Sequence, residues 1–143
     1  MGARGTTLNL TADNSTFIAW CLAEDDHVPS TFARLLGDPS LTLTQPSIWP
    51  YELVNALRTA ERRERIAEPQ ALAFLDELGG LPIRFEHGLP FEEAPALLRI
   101  ARRFAVTAYD AAYIHHCLST PSALWTLDGN LRAAAESAGI TTI

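Results

Sequence analysis

The feature that most constrains this chain is an alternation of scale. Five short apolar segments, each too brief for a stable helix, are separated by stretches long enough to form one. The strand candidates are residues 7–12, 41–44, 82–85, 123–127 and 140–143. Between them, helical patterns run over 15–22, 29–36, 47–65, 69–78, 91–104, 108–118 and 131–138, with stop signals at Gly37-Asp38-Pro39, Gly79-Gly80 and Gly139. Strands alternating with helices of this size predict an α/β fold: a parallel sheet of about five short strands with helices on both faces. One segment fits poorly. A central parallel strand reads as a near-continuous apolar run, whereas Thr7-Leu8-Asn9-Leu10-Thr11-Ala12 alternates; it is placed centrally all the same.

At 143 residues a single domain spanning 1–143 is expected. A chain of ~150 residues buries about 68–70% of its unfolded surface, enough for one core without staples. The longest apolar run, residues 17–23, has seven members, far short of the ~20 that span a bilayer. No membrane association is expected. No apolar stretch follows Met1-Gly2-Ala3-Arg4, so no signal peptide is read there and a cytoplasmic location is expected. Cys21 and Cys117 lie in apolar helical patterns and read as reduced, buried thiols. His115 and His116 are adjacent on a helix and point about 100° apart, so they share a metal poorly. They are expected at the surface or an interface.

The net charge of −6 argues against a nucleic-acid binder until its distribution is considered. Arg58, Arg62, Arg63 and Arg65 crowd one helix, and Arg99, Arg102 and Arg103 another. These arginines are either solvated helix surface or phosphate contacts. All eleven basic residues are arginine. Without lysine, the chain is neither a receiver domain nor a haloacid-dehalogenase-like phosphatase, both of which resemble it in gathering aspartates but carry an active-site lysine. A P-loop, which needs Gly-Lys-Ser/Thr, is excluded too.

Four carboxylates stand apart from the rest. Asp13, Asp110 and Asp128 sit where a short apolar run meets a helix start, and Glu52 lies one turn into the helix opening at Pro46-Ser47-Ile48-Trp49-Pro50. In a parallel α/β sheet, strand ends and the following helix starts gather at one edge, where such folds place ligands. Carboxylates converging there repel one another. At ~4 Å and an effective dielectric of ~20 each pair costs about 4 kcal/mol unless a cation or proton intervenes. Each has a structural explanation as well: Asp13 and Asp128 as helix caps, and Asp110 as the third position of a capping box opened by Thr107. Glu52 resists that explanation. Four acids at one predicted edge favour a divalent metal and, with it, phosphodiester chemistry.

The segment from Ala12-Asp13-Asn14-Ser15 to Trp20 resembles the opening motif of PIN-domain ribonucleases. Pro46 to Leu57, Thr107 to Tyr113 and Leu124 to Leu131 resemble the second, third and fourth motifs, in order and spacing. The resemblance covers nearly the whole chain, and the short single-domain form is similar to the VapC toxins. It implies a three-layer α/β/α fold and a metal-dependent endoribonuclease, often a homodimer, silenced by a cognate antitoxin. It also implies Asp13, Glu52, Asp110 and Asp128 as the catalytic and metal-holding quartet, with Mg²⁺ or Mn²⁺ as cofactor and RNA as substrate. Ser15 and Thr126 match its supporting hydroxyl positions. Asn55, one turn after Glu52, faces the same way and is a candidate for orienting a ligand. Arg58, Arg62 and Arg102 are candidate RNA contacts. Two other readings stand beside this one: a PIN-like module that binds RNA or a partner without catalysis, and a PIN nuclease outside toxin–antitoxin systems.

Overall fold

The computed structural model describes residues 8–24 and 27–143. Four strands, β1 (Leu8–Ala12), β2 (Leu41–Gln45), β3 (Ile83–Phe85) and β4 (Ala123–Trp125), form one parallel sheet in the order β3-β2-β1-β4. Thr7 lies outside the described residues. The helices are α1 (Asn14–Leu22), α2 (His27–Leu36), α3 (Trp49–Arg62), α4 (Glu68–Gly79), α5 (Ala94–Phe104), α6 (Ala108–Ser119) and α7 (Gly129–Ser137). The expected helix over 91–104 divides into a 3₁₀ turn, Phe91–Glu93, and α5; Pro95 takes an early α5 position, where its missing N–H costs nothing. The fifth expected strand, 140–143, is only a parallel bridge between Leu124 and Thr142. Gly139, at φ +87°, turns the chain into it.

Two apolar clusters, one on each face of the sheet, make the architecture a three-layer α/β/α sandwich. Leu10, Ala12, Leu43 and Trp125 face one cluster, which α1–α4 complete with Phe17, Phe32, Trp49, Leu53 and Phe74. Aromatic rings knit this side: Phe17 lies 4.7 Å from Trp49, and Phe32 lies 4.7 Å from Trp125. Leu124 faces the other cluster, with Tyr113, Ile114 and Cys117 of α6 and Leu131 and Ala135 of α7.

The alternation in β1 has a physical reason. Its polar residues supply hydrogen bonds within the sandwich: Thr11 donates to the Thr44 carbonyl at 2.8 Å and meets Ser122 Oγ at 2.9 Å. Thr44 in turn faces His116 at 3.2 Å, and the other ring nitrogen of His116 meets Glu86 at 3.2 Å. His116 is therefore a core residue, 1% exposed, not the surface or interface residue its sequence suggested. His115 is partly exposed and pairs with Glu93 at 3.4 Å. Cys117 is buried, and burial pushes its thiol up to about 11; Cys21 is only partly covered.

Gln45 performs a task usually left to the main chain. Fully buried, it accepts from the Ala12 N–H at 3.0 Å and donates to the Ala12 carbonyl at 2.7 Å. The residue just before Asp13 is clasped as if by another strand residue.

Candidate functional site

The chain winds from β1 through β2 to β3 in one direction, then returns to place β4 on the far side of β1. The order therefore reverses between β1 and β4, and a crevice opens beyond the strand ends at such a reversal. Asp13 follows β1 and Asp128 follows β4, so these two acids flank it.

Asp13 is the anchor, 6% exposed. It caps α1: its Oδ1 accepts from the Ser15 N–H at 3.1 Å and from Ser15 Oγ at 2.5 Å. Its Oδ2 accepts from Thr126 Oγ1 at 2.7 Å. Both hydroxyls then accept from the loop after β4, Ser15 from the Leu127 N–H at 2.9 Å and Thr126 from the Asp128 N–H at 3.0 Å. Ser15 and Thr126 thus stitch the two sides of the crevice together through one carboxylate. Burial raises the pKa of Asp13 despite those donors, and the negative charge of Asp128 adds to the rise.

Asp128 caps α7, with Oδ1 accepting from Asn130 and Leu131 N–H groups at 2.9 and 3.3 Å, and is exposed. Asp110 stands at the third position of α6, where Thr107 Oγ1 accepts from its N–H at 3.1 Å. Burial raises its pKa, followed by repulsion from Asp128. Glu52, in the first turn of α3, is raised by burial and by the charges of Asp110 and Asp13. The four acids therefore close a ring of mutual repulsion: Asp13 with Asp128, Asp128 with Asp110, Asp110 with Glu52, and Glu52 with Asp13.

Beside Glu52 and Asp13 stands Tyr113, which the sequence did not single out. Burial and the adjacent Glu52 charge push its hydroxyl far above the ordinary tyrosine range. The hydroxyl is near enough to lower the pKa of Glu52, yet neither it nor Glu52 Oε1 completes a hydrogen bond of standard geometry, and both atoms are buried. Asn14 Oδ1 is a third such atom. Arg132 was also missed: its guanidinium donates to the Thr126 carbonyl, bringing a cation beside the ring. Its spacing, one turn after Asp128, was the available signal.

The remaining candidates lie farther out. Asn55 is exposed on α3. Arg58 is exposed and pairs with Glu61 at 3.5 Å, and Arg62 donates to Thr59 Oγ1 at 3.3 Å. Arg102 is exposed on α5, whereas its neighbour Arg103 lines the cleft that reaches Asp110.

The ring fits a divalent cation by its donor chemistry: hard oxygens, crowded negative charge and a buried Glu52 Oε1 that completes no hydrogen bond of standard geometry. Among the described residues no three His, Cys, Asp or Glu side chains converge on one point. Such a site suits an ion that keeps several waters and draws further oxygens from substrate, as magnesium does.

No family model and no curated protein matches the chain. Among solved structures it is similar to PAE2754 from Pyrobaculum aerophilum, with 21% identity over 95% of this chain and 90% of that one, at a TM-score of 0.71. That likeness extends across the sandwich and shows the fold. No helix among the described residues is long and apolar enough to cross a membrane.

Proposed function

We propose that this chain is a metal-dependent endoribonuclease and the toxin of a toxin–antitoxin pair. The observation that carries the nuclease reading is the closed ring of Asp13, Glu52, Asp110 and Asp128 at the sheet reversal, with three of the four held at raised pKa. These residues would hold one or two Mg²⁺ or Mn²⁺ ions. A bound ion supplies charge neutralisation at the phosphate and an acidified water as nucleophile. The chain's own work is positional. Ser15 and Thr126 fix both oxygens of Asp13, and Thr126 fixes the Asp128 backbone as well, so two ligands are oriented by one hydroxyl. Glu52 Oε1 is buried near the Tyr113 hydroxyl without a hydrogen bond of standard geometry. The antitoxin partner, the homodimer and the toxin role are supported by the ordered four-motif resemblance, and the proposed location is the cytoplasm.

The test is cleavage of total RNA by purified protein. Wild type is expected to cut with Mg²⁺ or Mn²⁺ and stop in excess chelator; Asp13→Asn is expected to be inert yet folded, since asparagine also caps helices. Undiminished cutting in chelator would remove the metal from the mechanism, and RNA bound but never cut would leave a binding module. Co-expression with an adjacent small reading frame is expected to relieve growth arrest; active enzyme without arrest would leave a nuclease outside toxin–antitoxin systems.

A further inference from the structure

Two open cavities meet end to end beside the carboxylate ring. The first, about 740 Å³, is lined by Asp110, Thr107 and Asn130 and also by Arg103, Phe104 and Ser137. The second, about 550 Å³, shares Arg103, Phe104 and Ser137 and continues to Arg99 and Leu118. Together they form one groove leaving the ring between α5 and α7.

The charge of this groove opposes that of the ring. Arg99 and Arg103 are four residues apart on α5, so they share a face and stand about 6 Å apart along the axis. Among the described residues the arginine–carboxylate pairs are Arg58–Glu61 and Arg65–Glu24; neither Arg99 nor Arg103 has one. Arg103 lies 5.4 Å from the Phe104 ring centroid, a contact that restrains its guanidinium. A chain of net charge −6 holds a polyanion only where positive charge is concentrated, and arginine is its only cationic residue besides histidine. Guanidinium groups meet phosphate oxygens two at a time.

We propose that this groove is the track of the RNA strand leading away from the cut phosphodiester, with Arg103 and then Arg99 contacting its phosphates; the assignment rests on the nuclease reading above. The experiment uses Asp13→Asn protein, which does not consume the RNA, and labelled single-stranded oligonucleotides of about 4 and about 16 nucleotides. Anisotropy is followed across a salt series with Mg²⁺ present. Lengthening the RNA is expected to tighten binding. Adding Arg99→Ala and Arg103→Ala is expected to remove most of that gain, on the order of tenfold, and to flatten the salt slope by about 1.4 for two lost contacts. Arg34→Ala, at the opposite edge of the sheet beside Leu8 and Leu41, is the control for overall charge and is expected to leave the length dependence intact. All three arginines are exposed, so the thermal midpoint serves as the folding check. An unchanged length dependence in the double variant, or an equal loss from Arg34→Ala, overturns the groove while wild-type cleavage leaves the nuclease reading standing. If neither Asp13→Asn nor wild type binds RNA, both fall together.

Discussion

Replacing Thr126 by valine removes one oxygen and almost no volume, and the structure says what that oxygen does. Thr126 is fully buried, donates to Asp13 Oδ2 at 2.7 Å and accepts from the Asp128 N–H at 3.0 Å. A hydrogen bond to a charged group contributes about 1.5–3 kcal/mol. Asp128 is exposed, so its freed N–H turns to water at small cost. Where Asp13 is ionised in the folded state, the loss in metal-free buffer is therefore put at about 1.5–3 kcal/mol, or roughly 3 °C in midpoint per kcal/mol for a chain of this size. The loss should depend on pH. The Asp13 pKa is already raised by burial, and Thr126 opposes that rise; without the hydroxyl it climbs further. Below the unfolded aspartate value of ~3.9 the carboxyl is protonated in both states, and only a neutral bond of about 1 kcal/mol is lost. As pH rises through the raised folded value, the deficit grows to its full size. Urea unfolding followed by tryptophan fluorescence from pH 3.5 to pH 8, in chelator, reads this directly, with Thr126→Ser as the rescue. A deficit of equal size at every pH, or no rescue by serine, would refute the reasoning.

Three further outcomes follow from the same geometry. Wild type without metal should lose stability as pH rises above the unfolded carboxylate range, because Asp13, Glu52 and Asp110 all bind protons more tightly when folded; a rise in midpoint from pH 4 to 7 would contradict it. Glu52→Gln should keep or raise the metal-free midpoint by deleting two repulsions, and should forfeit the increase that excess Mg²⁺ gives wild type, about 2.7 kcal/mol at one hundred times Kd; thermal scans with and without the ion check both halves. Gln45→Leu should cost about 2–5 kcal/mol, because it strips partners from the buried N–H and C=O of Ala12, and chemical denaturation measures it.

Periodicity carried the helices and four of the five expected strands, because apolar spacing reports which face is buried. It placed β1 at the centre despite Asn9 and Thr11, but could not say why those residues are tolerated. The reason is distant: Thr11 needs Thr44 and Ser122, and His116 needs Thr44 and Glu86, pairings 30 to 111 residues apart in sequence. Gln45 extends β2 one residue past the expected 41–44 for a similar reason, since a side chain imitating a backbone leaves no periodic trace. The four acids were legible because each adjoins a strand end or helix start. Tyr113 and Arg132 were not, one looking like core and the other like surface until the ring was assembled.

The hydroxyl that fixes Asp13 lies 113 residues further along the chain. During synthesis at about 5–20 residues per second, the anchor's second clasp trails it by roughly 6 to 23 s. For most of that interval β1 can have β2 beside it but no β4, and Asp13 has Ser15 but no Thr126. A chain interrupted between α6 and β4 carries the first three acids and lacks both the fourth and the bond from Thr126 to the first. The four-acid site is therefore completed late and all at once, when the last strand slots against the first.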